Sequence, residues 1–307
     1  MRLVFLGTSA FACPALRALS EAHDVVLVVT QPDRPAGRRR EMRPSAVKVA
    51  ASECELKLAQ PECINKPAGL NALRAAAPEA IVAASYGQIL RKEVFSLPRY
   101  GAINIHASLL PAYRGAAPIN WAIINGEVET GNTTFLINQR VDTGKILLQK
   151  TLAIGKDETA GELHDRLAEL GAELILETLS GIESATLQPI EQDDSVASLA
   201  PKLRREDGRI DWTQAAHTIH NRIRGMNPCP GAFTRLKDEW IKVHRTTLTG
   251  IGCGDTLSGE ITLQETGRLL IATGDELIEI TEIQRECRLR TGGRDFLNGL
   301  RGDGRFS

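Results

Sequence analysis

Short, almost uninterrupted apolar segments recur through the first half of the chain, and patterns typical of amphipathic helices lie between them. Apolar runs of this kind suit strands that are buried on both faces, and the intervening helices supply the crossovers that parallel strands require. The sequence therefore predicts an open, doubly wound α/β domain with a mostly parallel sheet. The predicted strands cover 2–6, 24–29, 79–85, 102–106, 132–138 and 145–150. A helical pattern over 159–179 closes this domain.

The character of the sequence changes after about residue 184. Residues 185–206 are polar, with prolines and clustered acids, and this composition predicts a linker. Residues 207–307 contain one helical pattern and then short β-rich segments separated by glycines. Strands at such spacing indicate a small antiparallel barrel or sandwich. We therefore expect an α/β domain over 1–184, a linker over 185–206 and a smaller β domain over 207–307.

Composition limits where such a protein works. A net charge of −1 gives the whole chain no attraction to polyanions, so a contact with nucleic acid needs a local basic patch. The longest apolar runs fall far short of the ~20 residues of a membrane span, and the N-terminus lacks a signal-peptide pattern. The cysteines are scattered without a C-x-x-C pair, which favours reduced thiols. We expect a cytoplasmic protein that does not associate with membranes.

Asn104 and His106 are two polar residues within the predicted strand 102–106. Residues two apart in a strand project from the same face, so these two side chains point together. A hydrogen-bonded pair in the core would account for them structurally. At the carboxyl end of a parallel strand, however, the same face looks into the crevice where open α/β sheets bind ligands. The pair is therefore a candidate active site.

Asp142 follows in the turn between the predicted strands 132–138 and 145–150, and it offers a carboxylate to orient the histidine. Its alternative role is that of an ordinary turn residue. An Asn, a His and an Asp together suit acyl transfer to an amine. The amide can donate to an oxyanion, the imidazole can exchange a proton, and the carboxylate can orient it. Because no serine or cysteine stands out as a nucleophile, direct transfer without an acyl-enzyme is the simpler expectation.

A cationic segment follows the second predicted strand. Residues 32–48 carry a local net charge of +4 on a chain that is otherwise nearly neutral. A solvated surface loop is the structural alternative. Arginines separated by Pro and Gly, next to the expected crevice, are nevertheless typical of a flexible loop that binds phosphate. The arginines concerned are Arg34, Arg38, Arg39, Arg40 and Arg43.

Several of these segments resemble one known family when taken together. INIHASLLPAYRGAAPI and VDTGKIL are similar to the signature of the 10-formyltetrahydrofolate-dependent formyltransferases. FLGTSAFA, QPDRPAGR, ASYGQIL, APKLRREDGRIDW and RIRGMNPCPGAFT extend the likeness from end to end, within the branch of the family that acts on methionyl-tRNA. The order and spacing of all these segments are specific, whereas Asn-x-His alone is not.

The resemblance implies a Rossmann-like domain followed by a smaller OB-like β-barrel. It implies transfer of the formyl group of 10-formyltetrahydrofolate to the α-amine of initiator methionyl-tRNA, giving formylmethionyl-tRNA for translation initiation and tetrahydrofolate. It implies neither a metal nor a nicotinamide cofactor. We expect a monomer. Residues 207–307 carry no net charge, which weakens the expectation that the barrel supplies most of the affinity for tRNA.

The resemblance also implies roles for individual residues. Asn104, His106 and Asp142 match the catalytic positions of the family, and Arg38 falls where the arginine loop meets the acceptor stem. Two segments match the folate contacts. They are Ser108, Leu109, Leu110 and Pro111, and Tyr86, Gly87, Gln88, Ile89 and Leu90.

Three other functions remain open at this point. A related formyltransferase could act on a small amine, such as a nucleotide-sugar or glycinamide ribonucleotide, with the same chemistry. A formyltetrahydrofolate hydrolase or dehydrogenase module would deliver the formyl group to water. A non-catalytic tRNA- or folate-binding protein would need none of the three candidate catalytic residues. The arginine-rich segment disfavours a small acceptor.

Overall fold

The computed structural model describes residues 1–36, 41–263, 267–300 and 304–307. The chain divides into two compact units. Unit 1 comprises Met1–Ala116, Thr130–Leu152 and His164–Ala200, and unit 2 comprises Ala117–Glu129, Ala153–Leu163 and Pro201–Ser307. The domain boundaries expected from the sequence stay a prediction.

The elements up to residue 200 alternate between strands and helices. The strands are β1 (Arg2–Gly7), β2 (Asp24–Val29), β3 (Arg34–Ala36), β4 (Glu41–Arg43), β5 (Leu58–Ala59), β6 (Ala80–Ala84), β7 (Ala102–His106), β8 (Arg114–Gly115), β9 (Glu129–Leu136), β10 (Ile146–Ala153) and β11 (Leu199–Ala200). The helices are α1 (Cys13–Ala22), α2 (Ala46–Glu53), α3 (Pro67–Ala76), α4 (Lys92–Phe95), α5 (Pro118–Ile124) and α6 (Ala160–Glu183).

The main sheet of unit 1 has seven strands in the order β10-β9-β7-β6-β1-β2-β5. The pairs from β7 through β6, β1 and β2 to β5 are all parallel, which confirms the predicted mostly parallel, Rossmann-like sheet. All of β6 and all of β1 beyond its first residue are buried, as the continuous apolar runs predict. Because β6 and β7 are parallel neighbours, the loops that follow them leave the same edge of the sheet.

Strand β9 runs antiparallel to β7, with His106 opposite Thr133. The sequence expectation placed this strand in the mostly parallel sheet without giving its direction. A strand buried on both faces can show the same residue pattern whichever way it runs, so the pattern carries no information on its direction. The antiparallel arrangement brings the middle of β9 next to the carboxyl end of β7.

Unit 2 is built mainly from an antiparallel sheet. Besides α5, its elements are α7 (Ala216–Met226), β12 (Ala232–Leu236), β13 (Glu239–Gly252), β14 (Ile261–Leu263), β15 (Leu269–Ala272), β16 (Glu276–Arg285), β17 (Thr291–Gly292) and α8 (Gly293–Asn298). The strand order is β12-β13-β16-β15-β14, with β17 on β16, and the sheet curls into a half-barrel. Its core includes Trp212, Ile223, Ile241, Ile278 and Phe306. The predicted smaller β-barrel domain is therefore confirmed.

Candidate active site

Strand β7 presents Asn104 and His106 on one face, since they stand two apart in a regular strand. Ile103 and Ile105 project from the other face and are fully buried or nearly so. His106 is only 6% exposed, whereas Asn104 is half-buried. Among the described residues the Asn104 side-chain amide has no hydrogen-bond partner. An unpartnered donor is therefore present at the carboxyl end of this strand.

His106 lies between two oxygen acceptors. Its Nε2 is 3.0 Å from the backbone carbonyl oxygen of Tyr113, and its Nδ1 is 3.8 Å from Oδ2 of Asp142. A carbonyl oxygen only accepts, so Nε2 carries the hydrogen that it donates to Tyr113. The ring of Phe135 meets the imidazole edge-on, with 6.4 Å between ring centroids. The imidazole is thereby held with Nδ1 facing a carboxylate.

Asp142 occupies a tight loop with a left-handed backbone conformation, φ 52°. Aspartate tolerates this conformation better than most residues. The backbone N–H of Gly115 donates to Oδ2 of Asp142 at 2.9 Å, and only 14% of the Asp142 side chain is exposed. Gly144 is required nearby, because a Cβ there would lie 1.6 Å from the carbonyl oxygen of Leu136. The turn sequence VDTG thus serves both to close the loop and to present the carboxylate.

Residues 108–111 form a braced loop immediately after β7. The Thr133 hydroxyl accepts from the Leu110 N–H at 3.0 Å and donates to the Ser108 carbonyl at 2.7 Å. Gln149 donates to the Leu110 carbonyl oxygen at 2.9 Å.

The Ser108 side chain is fully buried and donates to the carbonyl of Ala112, so its hydroxyl supports the loop itself. Leu109 and Pro111 keep partly exposed side chains, whereas Leu110 is buried. Their folate contacts stay a prediction.

Tyr86 follows β6, and the Thr8 hydroxyl and the Gln31 amide both donate to its carbonyl oxygen. Its side chain is 4% exposed, and its hydroxyl has no hydrogen-bond partner among the described residues. Burial raises the pKa of this phenol to about 12. A Cβ at Gly87, the next residue, would meet open space. The hydroxyl is closed to solvent, so the part of this stretch that faces open space is the backbone at Gly87.

Residues 88–90 are the rest of the predicted folate segment. Two of their side chains contact other parts of the fold, and one is exposed to solvent. The Gln88 side chain accepts from the Ile64 N–H at 2.9 Å and donates to the Glu62 carbonyl at 3.0 Å, so it holds a neighbouring loop. Leu90 is buried in the core, and Ile89 is 67% exposed. The structure therefore leaves Ile89 and the local backbone, rather than Gln88 or Leu90, available to a ligand.

Strands β3 and β4 form a two-stranded ribbon in which Arg34 lies directly opposite Arg43. Both side chains are exposed, and neither has an ion-pair partner among the described residues. Like charges directly opposite one another destabilise a ribbon, and a bound anion would relieve this repulsion. Lys48, counted in the cationic segment, is instead paired with Asp33 at 2.6 Å. The predicted Arg38, Arg39 and Arg40 lie outside the described residues.

Three residues around this site were missed by sequence reasoning. Arg114 is buried and pairs with Gln192 and Asp194, and Ser198 accepts from the N–H of Tyr113. Gln192 and Ser198 fall in the segment predicted to be a linker. The polar composition of that segment resembles any solvated connection, so no local signal could have identified them. The arginine in YRG was visible, but its burial was not.

Comparison with known proteins identifies the class. Residues 1–179 match the model of the formyl transferase family, and residues 202–301 match its C-terminal domain. The N-formyltransferase of Helicobacter canadensis, solved with folinic acid and dTDP-3-aminofucose, superposes with a TM-score of 0.69 at 21% identity, covering 93% of this chain and 99% of that one. HypX of Aquifex aeolicus, solved with tetrahydrofolic acid, gives a TM-score of 0.64 at 18% identity over 97% of this chain and 47% of that chain. At these identities the structures share the fold, and the fold and family models define a formyltransferase.

More similar relatives place the chain within that class. The methionyl-tRNA formyltransferase of Citrifermentans bemidjiense is 46% identical over 98% of this chain and 94% of its own length. That of Solibacter usitatus is 47% identical over 98% of this chain and 96% of its own length. The chain belongs to the methionyl-tRNA formyltransferase family.

Two further observations concern membrane spans and metal sites. Within the described residues, no helix combines the length and the apolar character needed to cross a membrane. In the same part of the chain, no group of three His, Cys, Asp or Glu side chains is arranged to hold a metal ion. That the reaction needs no metal or nicotinamide stays a prediction.

Proposed function

We propose that this chain transfers the formyl group of 10-formyltetrahydrofolate to the α-amine of initiator methionyl-tRNA, releasing tetrahydrofolate. One observation supports the chemistry most directly. The unpartnered amide of Asn104 shares a strand face with His106, whose Nδ1 is directed at the carboxylate of Asp142 3.8 Å away. This arrangement suits attack of an amine on a formyl carbon. The names of the relatives support methionyl-tRNA as the acceptor.

In this proposal three residues carry the chemistry. The neutral amine attacks the formyl carbon, and Asn104 donates a hydrogen bond to the oxyanion that develops. His106 contributes positive charge near that oxygen when it is protonated. The tetrahedral intermediate then collapses with cleavage of the bond between the formyl carbon and N10 of the folate. The proton that the amine loses passes to N10, and Asp142 orients the imidazole and helps to move this proton. The 3.8 Å separation exceeds a hydrogen bond, and such catalytic contacts commonly shorten when the substrate binds.

The formyl donor would occupy the edge of the sheet that the loops after β6 and β7 share. The open backbone position at Gly87 leaves room for a polar, planar ring system. Leu109, Pro111 and Ile89 would contribute apolar contacts from the two loops. The donor supplies the activated formyl group, while the protein orients that group and excludes water from it.

The acceptor contacts would begin at the β3–β4 ribbon. Arg34 and Arg43 stand opposite one another without acidic partners in the described parts of the chain, and a phosphate between them would relieve their repulsion. The neighbouring Arg38, Arg39 and Arg40 would extend this contact along the acceptor stem. We further propose that the protein acts as a monomer in the cytoplasm.

The decisive experiment supplies the purified protein with 10-formyltetrahydrofolate and, in separate reactions, three acceptors. These are charged initiator methionyl-tRNA, charged elongator methionyl-tRNA and an amino-sugar nucleotide. We expect formylation of the initiator methionyl-tRNA, detected by acid gel or mass spectrometry of the released amino acid. Formylation of the amino sugar without formylation of either tRNA would overturn the proposal.

A further inference from the structure

We propose that Gln192 is a positioning residue that holds the Asp142 loop in its reactive geometry, an inference that rests on the proposed function. Its Nε2 donates to the backbone carbonyl oxygens of Asp142 and Gly144, at 3.0 Å and 2.7 Å. These carbonyls flank Thr143 at the tip of the loop. A single side-chain amide thus bonds both sides of the turn that presents the carboxylate to His106.

The orientation of this amide is determined by Arg114. The Oε1 of Gln192 accepts from Nε and Nη2 of Arg114 at 3.0 Å and 2.7 Å. Because a guanidinium only donates, Oε1 must face Arg114 and the NH2 group must face the loop. The Arg114 side chain is 8% exposed and is further fixed by Asp194 at 2.8 Å. The donor group of Gln192 is therefore held by a rigid, charged partner.

The same segment also reaches the His106 side of the site. We call residues 190–200 the brace segment. Within it, Ser198 Oγ accepts from the Tyr113 N–H at 2.9 Å, and the Ser198 carbonyl accepts from the Arg114 N–H at 2.9 Å. The Tyr113 carbonyl is the partner of His106 Nε2. The brace segment therefore steadies the residue that fixes the histidine.

The brace segment continues as β11, which pairs in parallel with β8. Gly115 of β8 lies against Ala200, and a Cβ at Gly115 would be 2.6 Å from the Ala200 carbonyl oxygen. The N–H of Gly115 is the donor to Asp142 Oδ2. Three separate contacts of the candidate catalytic pair thus depend on one segment. They are the Tyr113 carbonyl, the Gly115 N–H and the carbonyl of Asp142 itself.

A double-mutant cycle tests whether Gln192 acts through Asp142. Gln192→Met keeps the side-chain length and removes both the donors and the acceptor. We expect kcat to fall about tenfold with little change in KM for either substrate, since a misplaced catalytic group slows the chemical step. In an Asp142→Asn background the same substitution should change kcat less than about twofold, because the charge it positions is gone. Equal losses in both backgrounds would overturn the proposal.

Two further variants distinguish a positioning role of Gln192 from a general loss of order in the segment around it. Gln188→Met is the matched control, since Gln188 is exposed in the same polar stretch and its side chain has no partner among the described residues. This control should leave kcat unchanged. Gln192→Glu keeps an acceptor for Arg114 but places a second acceptor against two carbonyls, so it should lose activity as Gln192→Met does. If Gln192→Met does not fold, Gln192→Glu replaces it in the double-mutant cycle with Asp142→Asn. Wild-type kcat in Gln192→Glu would overturn the proposal.

A spectroscopic measurement is independent of the acceptor. The ring nitrogens of His106 are assigned by comparing 15N spectra of histidine-labelled protein with those of His106→Gln. Gln192→Met should shift the Nδ1 resonance of His106, and Gln188→Met should not. An unchanged resonance would contradict the positioning role. If the wild-type protein formylates no methionyl-tRNA, the proposed function fails, while this measurement still decides the role of Gln192.

Discussion

Asp142 and His106 approach to 3.8 Å between Oδ2 and Nδ1, and each is held by a backbone group from the same short stretch of chain. The Gly115 N–H donates to the carboxylate, and the Tyr113 carbonyl accepts from the imidazole. Two of the three residues that carry the proposed chemistry, His106 and Asp142, therefore contact backbone atoms of one short stretch. A substitution of the Asp142 side chain can therefore leave these backbone groups in place. Its effect on kcat can then be measured separately from its effect on the fold.

Asp142→Asn should reduce kcat by about 100-fold while the affinity for the folate donor stays unchanged. An asparagine oxygen still accepts from the Gly115 N–H, so the loop is retained and only the charge facing His106 is lost. Single-turnover kinetics and donor titration measure the two effects. Asp255→Asn, at an exposed position in unit 2, is the control. A kcat within twofold of the wild type would remove Asp142 from the mechanism.

Asn104→Ala should reduce kcat by about 100-fold, the cost of one oxyanion donor. The free energy of unfolding should change by less than about 0.5 kcal/mol, because the half-buried amide has no hydrogen-bond partner in the described chain. Denaturant unfolding and steady-state kinetics, measured on the same preparation, test this separation. A large loss of stability with a matching loss of activity would instead indicate a structural role for Asn104.

Arg34→Ala and Arg43→Ala should each raise KM for methionyl-tRNA and leave KM for the donor unchanged. Each lost phosphate contact should also reduce the slope of log K against log salt by about 1. Binding measured across several salt concentrations gives this slope. Arg74→Ala, an exposed arginine in the last turn of α3, should change neither quantity. An unchanged slope in both ribbon variants would exclude the ribbon from the tRNA contact.

Tyr86→Phe should change stability but not donor binding. Removing a buried hydroxyl without a described partner should raise the free energy of unfolding by about 1 kcal/mol, since an unsatisfied polar group is costly. Because the hydroxyl is closed to solvent, KM for the donor should stay unchanged. Thermal unfolding and donor titration test the two statements separately. A less stable Tyr86→Phe protein would show that the hydroxyl has a partner in solution.

Glu162→Gln should alter the acid stability of unit 2. Hydrogen bonds from Thr159, and then from Arg245, lower the pKa of the Glu162 carboxyl from 4.5 to about 2. Because the folded pKa lies below the unfolded one, this stabilisation is complete above about pH 4.5 and is lost as the pH falls toward 2. Both side chains are more than a third exposed, so the contribution at neutral pH is below about 1 kcal/mol.

Unfolding measured between pH 2 and 7 should therefore show a shallower decline for Glu162→Gln than for the wild type. Glu169→Gln, at an exposed position of the same helix, is the control. Parallel pH profiles for Glu162→Gln and the wild type would contradict the interpretation.

The fold was recoverable from the sequence wherever a local pattern carried it. The apolar run 102–106 corresponds to β7, and the predicted helix over 159–179 corresponds to most of α6. The direction of β9 was not recoverable, because burial on both faces looks the same in either direction. The grouping of 117–129 and 153–163 with unit 2 was also not recoverable, since it depends on contacts with distant parts of the chain.

The sequence by itself determined that a buried strand would place Asn104 and His106 on one face, because alternation along a strand is a local property of the backbone. Tertiary structure decided what that face contacts. The acceptor for Nε2 comes from Tyr113 in the stretch that follows β7, whereas the carboxylate near Nδ1 and the amide of Gln192 come from segments that are distant in sequence. Their approach depends on sheet pairing and on loops closed by Gly115 and Gly144. Pairing between distant segments is a property of the whole fold, and residue patterns within one segment do not encode it.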